Sequence, residues 1–246
     1  MRALKFTLSG KTAFFKKPEV NTYCYFTYGN IHKIALLGIL GAIMGFKGYN
    51  QQARDVVATY PEFYERLKDV KLAIVPMNDN GYIPKKVQVF NNSVGYASRE
   101  QGGNLIVKEQ WLEEPKWDIY ILLQGEIEEK LANRLIERRF HYLPYLGKND
   151  HMADIEAVKI LENLEGLTEV EGLKSLFIKE EFDIQTEHGF FKAKTPGFKY
   201  QEMLPVALEG TTNKYELATF IYTNETLKSK KSSTVYRCEG RNIFFF

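Results

Sequence analysis

The order of hydrophobic patterns along this chain predicts an α+β fold, and three observations carry that prediction. Strand-like and helix-like segments follow one another as β-α-β-β-α-β through the first part of the sequence. A polar stretch at 85–115 interrupts that order with two more strand patterns. After residue 165 the chain holds only short strand-like runs separated by turns. The first observation is the ferredoxin-like arrangement, shared with RNA-recognition domains. The second is an inserted β-hairpin and the third a small C-terminal β-rich region. The expected organisation is a ferredoxin-like domain over 1–165, carrying the hairpin, and a β-rich region over 166–246.

Residues Ala3–Leu8 give the first strand. A long loop follows, SGKTAFFKKPEVNTYCYFTYGN, and then the apolar segment IHKIALLGILGAIMGF. Asn30 suits the N-cap of that helix, and Gly45 or Gly48 its end. Gly38, Gly41 and Gly45 fall at i, i+3 and i+7, on one face. Each glycine costs a helix about 1 kcal/mol relative to alanine, so three imply an offsetting benefit. Close packing of the helix on the sheet is the expected one; a phosphate received at the helix start is compatible with it. Pro61 opens a polar second helix through EFYERLKD, Val70–Met77 reads as a strand, and Asn78–Gly81 and Pro84 are turn signals. KKVQVFNNSVGY and NLIVKEQWLEE, joined through SREQGG, form the hairpin, which is long enough to be an arm. Trp117–Leu123 is apolar enough for a buried strand. In EIEEKLANRLIERRF (126–140), Ile127, Leu131, Leu135 and Ile136 line one side of an amphipathic helix. After HYLPYLGKNDHMADI comes a last strand near Ile155–Leu161. The tail supplies LKSLFI, GFFKAK, MLPVAL, YELATFIY, STVYR and NIFFF.

With 246 residues and 44% apolar content, the chain can bury a core as one large domain or two small ones. Its net charge is only +2, but the first 50 residues carry Arg2, Lys5, Lys11, Lys16, Lys17, Lys33 and Lys47 against the single acid Glu19. A solvated lysine face is the plain account of such a run. The interleaved aromatics of the loop favour a nucleic-acid groove instead. Cys24 and Cys238 lie far apart in no metal-ligand spacing, which fits a reduced, cytoplasmic protein. The N-terminus lacks the apolar core of a signal peptide. Ile34–Phe46 is shorter than the roughly 20 residues a bilayer needs, so no membrane role is expected.

In the loop, cations suited to phosphates alternate with rings suited to bases, the combination that holds a single nucleic-acid strand. Phe14, Phe15, Tyr23, Tyr25 and Tyr28 are the candidates for stacking, although Phe15 and Phe26 are equally candidates for the core. Lys11, Lys16, Lys17 and Lys33 are the candidates for phosphate contacts, helped by the helix start at Asn30, and His32 beside it is counted among the RNA-binding residues. Gly147, Lys148 and Asn149 are placed to approach RNA through backbone groups.

LSGKTAFFKKPEVNTY, IALLGILGAIMG and YLGKNDHMADI together resemble the CRISPR-associated "Cas five" family of the RAMP superfamily, in its type I-B (Hmari) form. Gly10, Phe14, Phe15, Lys16, Lys17, Pro18, Leu36, Leu37, Gly38, Gly41 and Gly45 match the family pattern in order. The resemblance implies a subunit of a type I Cascade surveillance complex that grips the crRNA 5′ handle and caps the foot of the assembly. It implies a thumb hairpin at 85–115 packed on the first backbone subunit, a neighbouring large subunit, and target DNA met only indirectly. No cofactor is expected.

Two other classes stay open. In the type I-C form of the family the same fold cuts repeat RNA with a tyrosine, a lysine and a histidine. Among His32, His141, His151 and His188, only His32 has such neighbours, Lys33 and Tyr28. A capping or surface histidine is the plainer account, and a non-catalytic protein is expected. Asp150, His151 and Asp154 read as structural rather than as metal ligands. A generic single-stranded RNA-binding module is the third class; against it, the standard RNA-recognition aromatics are missing from the central strands, and Trp117–Leu123 is too apolar to be a stacking surface.

Overall fold

The computed structural model describes residues 1–19, 23–52, 59–96, 99–185, 196–229 and 234–246. In chain order the strands and α-helices are β1 (Ala3–Ser9), β2 (Thr12–Ala13), α1 (Lys33–Met44), α2 (Glu62–Leu67), β3 (Leu72–Pro76), β4 (Lys85–Asn91), β5 (Ile106–Glu113), β6 (Lys116–Leu122), α3 (Glu126–Ile136) and β7 (Asp154–Leu161). The C-terminal part adds β8 (Glu165–Leu167), β9 (Phe177–Ile178), β10 (Phe182–Gln185), β11 (Lys199–Leu208), β12 (Tyr215–Thr223), β13 (Thr226–Ser229), β14 (Val235–Cys238) and β15 (Arg241–Phe244).

The central sheet runs β3-β6-β1-β7 and every neighbouring pair is antiparallel. β1 and β3 are thus parallel with β6 between them, joined through α1, which is the split βαβ of a ferredoxin-like domain. Alternation along β1 sorts its side chains onto two faces. Leu4, Phe6 and Leu8 enter the main core with Leu36, Leu37 and Leu40 of α1 and Leu131 and Leu135 of α3. Ala3 goes to the other face, where Tyr120, Cys238, Ile243 and Phe245 form a second core.

That second face also carries charge. Lys5 Nζ lies 3.2 Å from Asp118 and 2.8 Å from Glu239, and Arg241 reaches Asp118 at 3.2 Å. Arg241 also donates to Tyr120 Oη at 2.8 Å and Thr7 Oγ1 to Asp118 at 2.8 Å, so the buried carboxylate has several partners. The β14–β15 hairpin therefore covers the sheet face that an RNA-recognition domain would leave open.

The C-terminal aromatics alternate between the two cores: Phe244 and Phe246 enter the main one, Phe245 the second. Phe246 is paired with Leu72 through N–H···O bonds of 3.0 and 3.3 Å. β11 adds Leu204 and Leu208 to the main core, and Tyr64 Oη of α2 accepts the Leu208 N–H at 3.0 Å. GFFKAK and His188 lie outside the described residues.

α1 starts later than its sequence suggests. His32 is the N-cap, its Nδ1 accepting the Ala35 N–H at 3.2 Å. Asn30 instead bridges Gly81 O at 3.1 Å and Trp117 Nε1 at 2.9 Å. The three glycines of α1 do not share one reason. A Cβ on Gly41 would lie 2.6 Å from Phe63 Cβ, so it admits α2 rather than the sheet. Gly45 is the C-cap at φ 83°, a left-handed conformation that favours glycine. A Cβ on Gly38 would meet nothing within 4 Å. α3 stops at Ile136 rather than 140, and Arg138, at φ 53°, turns the chain away.

These differences predict opposite signs in denaturation experiments. Gly38→Ala raises unfolding stability by about 1 kcal/mol, the helix-propensity gain with no clash. Gly41→Ala lowers it by about 1–3 kcal/mol through overpacking against Phe63. Urea titrations of the two variants check both.

Candidate nucleic-acid interface

The β1–α1 loop folds back on itself. Lys17 N–H donates to Phe26 O at 2.8 Å, Tyr28 N–H to Phe15 O at 2.8 Å, and Phe15 N–H to Thr27 Oγ1 at 3.0 Å. This ladder turns Phe14, Phe15 and Tyr28 inward, each under 5% exposed. The outer side of the loop keeps Lys11, Lys16, Tyr23 and Phe26 exposed. Lys16 Nζ sits 4.0 Å above the Tyr25 ring, a cation–π contact that leaves the ammonium in water. Lys17 has an internal partner, Glu202 Oε1 of β11 at 3.2 Å. The same carboxylate accepts the Gly29 N–H at 2.9 and 3.0 Å and the Tyr200 hydroxyl at 2.6 Å, tying the loop to the C-terminal region.

The opposite wall is the segment after α3. His141 N–H and Tyr142 N–H donate to the Ile43 and Ala42 carbonyls at 3.1 and 3.2 Å, satisfying the open end of α1. Further on, Phe14 N–H donates to Leu146 O at 3.0 Å. Gly147, at φ 92°, makes this approach possible, since a Cβ there would fall 1.8 Å from Phe14 O. Lys148 Nζ lies 3.1 Å from Glu109 of β5 and 3.5 Å from Asp150. The hairpin is held at this junction as well, through Tyr25 N–H to Lys108 O at 2.9 Å and Gln110 N–H to Tyr25 O at 2.8 Å.

Between these walls lies a cavity of about 1210 Å³ whose floor is one side of α1. Of the residues selected from sequence, Phe14, Lys16, Tyr25, His32, Gly147 and Lys148 line it. Lys11, Tyr23 and Asn149 are exposed outside the lining, whereas Tyr28, Asn30 and Lys33 are buried. Tyr28 and Asn30 are held in the fold as described, so neither offers the stacking face or helix cap expected of it. Lys33 does not face a phosphate site: its Nζ donates to Phe246 O at 3.3 Å, and burial lowers its pKa to about 8. Tyr49, Tyr142 and Tyr145 were not selected from sequence, yet all three line the cavity and are about half exposed. The spacing of rings in HYLPYLG was the available signal for two of them.

His32 is not placed for acid–base chemistry. Its ring is packed edge-on against Phe15, Tyr28 and Tyr215 at 6.0, 5.1 and 5.4 Å. Burial pushes its pKa down to about 3, and Nδ1 is engaged in capping α1. Tyr28 touches it, but Lys33 is directed to the C-terminal strand, so the three residues do not meet around one reacting position. His151 shares a 2.6 Å hydrogen bond with Thr12 Oγ1 and packs at 4.6 Å on Trp111. Among the described residues no group of three or more His, Cys, Asp or Glu is arranged to hold a metal ion. No helix among them is long and apolar enough to cross a membrane.

The architecture has counterparts among solved structures. One, a CRISPR RNA-guided surveillance complex, superposes with a TM-score of 0.53 at 12% identity, covering 94% of this chain and 92% of its counterpart. A CRISPR protein from Archaeoglobus fulgidus superposes with a TM-score of 0.51 at 12% identity, covering 99% and 98%. The chain shares its fold with CRISPR-associated proteins. No family model matches the sequence, and no curated protein matches it.

The capping role of His32 predicts a pH dependence. The folded pKa, about 3, lies below the ordinary value of 6.5, so the unfolded chain binds the proton more readily. Stability contributed by this residue is therefore complete above about pH 6.5 and falls as the pH drops toward 3. At pH 5 the loss relative to pH 7 is about 2 kcal/mol. Urea unfolding at the two pH values measures it, and His32→Asn, which keeps a capping oxygen, removes that part of the slope.

Proposed function

We propose that the chain is a non-catalytic subunit of a type I CRISPR Cascade surveillance complex, of the type I-B kind, that holds the crRNA 5′ handle. The observation that carries this reading is the cavity itself. It gathers Lys16 and Tyr25 from the β1–α1 loop with Gly147 and Lys148 from the segment after α3, all lining one surface. Sequence-distant groups of the types that contact phosphates and stack on bases are what a single-strand site requires. The motifs quoted above and the shared fold with a surveillance-complex protein supply the context.

Lys11, Lys16, Tyr23, Tyr25, Gly147, Lys148 and Asn149 form the RNA surface in this reading. Phe14, Tyr28, Asn30, His32 and Lys33 support it from within. The β4–β5 hairpin is the thumb. Val87 and Val89 of β4 and Ile106 of β5 are all more than half exposed, an apolar patch suited to the backbone subunit. The large subunit would adjoin the assembled foot, with target DNA reached through the complex, in the cytoplasm.

Incubating the protein with labelled repeat RNA, with and without EDTA, tests the reading in one set of samples. Handle-dependent binding without cutting is expected; site-specific, EDTA-resistant cutting would overturn the non-catalytic assignment. Replacing Lys11 and Lys16 together by alanine should weaken binding. It should also flatten the slope of log affinity against log salt by about 1.4, roughly 0.7 per lost phosphate contact. Val89→Lys with Ile106→Lys should leave the melting temperature unchanged and abolish co-purification with the backbone subunit. Normal co-purification would remove the thumb assignment.

A further inference from the structure

Gly38 lies in the interior of α1, lines the cavity, and has nothing within 4 Å of where its Cβ would stand. Glycine at such a position weakens a helix without serving any packing. Gly41 and Gly45 are different, because Phe63 and His141 occupy the space their side chains would need. The empty space over Gly38 belongs to a cavity with aromatic walls. The Tyr49 ring is fixed by Phe63 at 5.6 Å and the Tyr142 ring by His141 at 4.5 Å. Both rings are braced by neighbours yet about half exposed, the state of a ring available for stacking.

Polar groups stand at the same cavity. Asn50 and Gln51 line it with side-chain amides, and both are exposed. Gln51 Oε1 accepts the Gly48 N–H at 2.7 Å, which leaves the amide nitrogen as a donor. Lys16 brings an exposed ammonium to the loop side of the cavity. Rings, an amide edge and a cation correspond to the three parts of a nucleotide: base faces, base edge and phosphate.

We propose that the space over Gly38 is a subsite for one unstacked base of single-stranded RNA. The base lies against the bare backbone of α1, stacks on Tyr49 or Tyr142, and turns its edge to Asn50 and Gln51. This deepens the handle-holding reading and rests on it. Stacking alone accepts any base, so a strand held only by the loop could slide; one base read along its edge fixes the register.

The test crosses protein variants with an abasic scan of the repeat RNA. Gly38→Leu fills the space, and Gly38→Ala fills it in part while strengthening the helix. In the parent protein, removing the base at one RNA position should cost about tenfold or more in affinity, the value of one stacked base. Gly38→Leu should show a similar loss with intact RNA and no further loss when that base is removed. Asn50→Ala with Gln51→Ala should relax the base preference at that position alone. Intact binding by Gly38→Leu, or an abasic profile identical in parent and variant, would overturn the subsite. The same result for Gly38→Ala decides the matter if the leucine variant fails to fold. If Lys11→Ala with Lys16→Ala still weakens binding in that case, the handle-holding reading stands without the subsite. If the parent does not bind repeat RNA at all, both fall.

Discussion

Burial of the central sheet on both faces is the constraint from which the rest of the structure follows. Helices α1 and α3 cover one side, and the β14–β15 hairpin closes the other over the Lys5–Asp118–Arg241 network. A sheet covered in this way has no face left for a strand of nucleic acid. The proposed RNA surface lies instead at the end of the sheet, where the loop leaving β1 meets the segment leaving α3. The cavity there is built from backbone approach as much as from side chains. Gly147 lets one segment touch Phe14 O, and the His141 and Tyr142 amides complete the end of α1.

The order of elements was legible because periodicity survives in single sequences. The ALKFTL alternation, the amphipathic α3 and the paired hairpin runs all appear where their patterns fall. Roles within the β1–α1 loop were harder to read, because a ring has the same composition whether it faces a base or a core. The ladder pairing residues 15–17 with 26–28 decides it, and Glu202, far away in the chain, ties that loop down at Lys17 and Gly29. Charge counting met the same limit. Of the seven cations in the first 50 residues, Arg2 pairs with Glu129, Lys5 with Asp118, Lys17 with Glu202, and Lys33 with a backbone carbonyl. The local surplus is therefore partly an accounting of long-range partners, with Lys11 and Lys16 left at the surface of the loop.

The glycines of α1 show the same contrast on a smaller scale. Their spacing placed them on one face and suggested a common cause. Two neighbours, Phe63 and His141, and one open space give three causes. Only what packs around it separates a glycine required by a close approach from one that leaves room.

The alternation of Phe244, Phe245 and Phe246 between the two cores bears on how the chain acquires its fold during synthesis. Leu72 takes its backbone partner from Phe246, 174 positions later in the sequence. Until those rings dock, apolar surface on both sides of the sheet stays uncovered, the kind of exposure that makes a partly folded chain prone to misassembly. Contacts of such long sequence separation also make folding slow. The β1–α1 loop likewise gains its Glu202 partner only once β11 has docked.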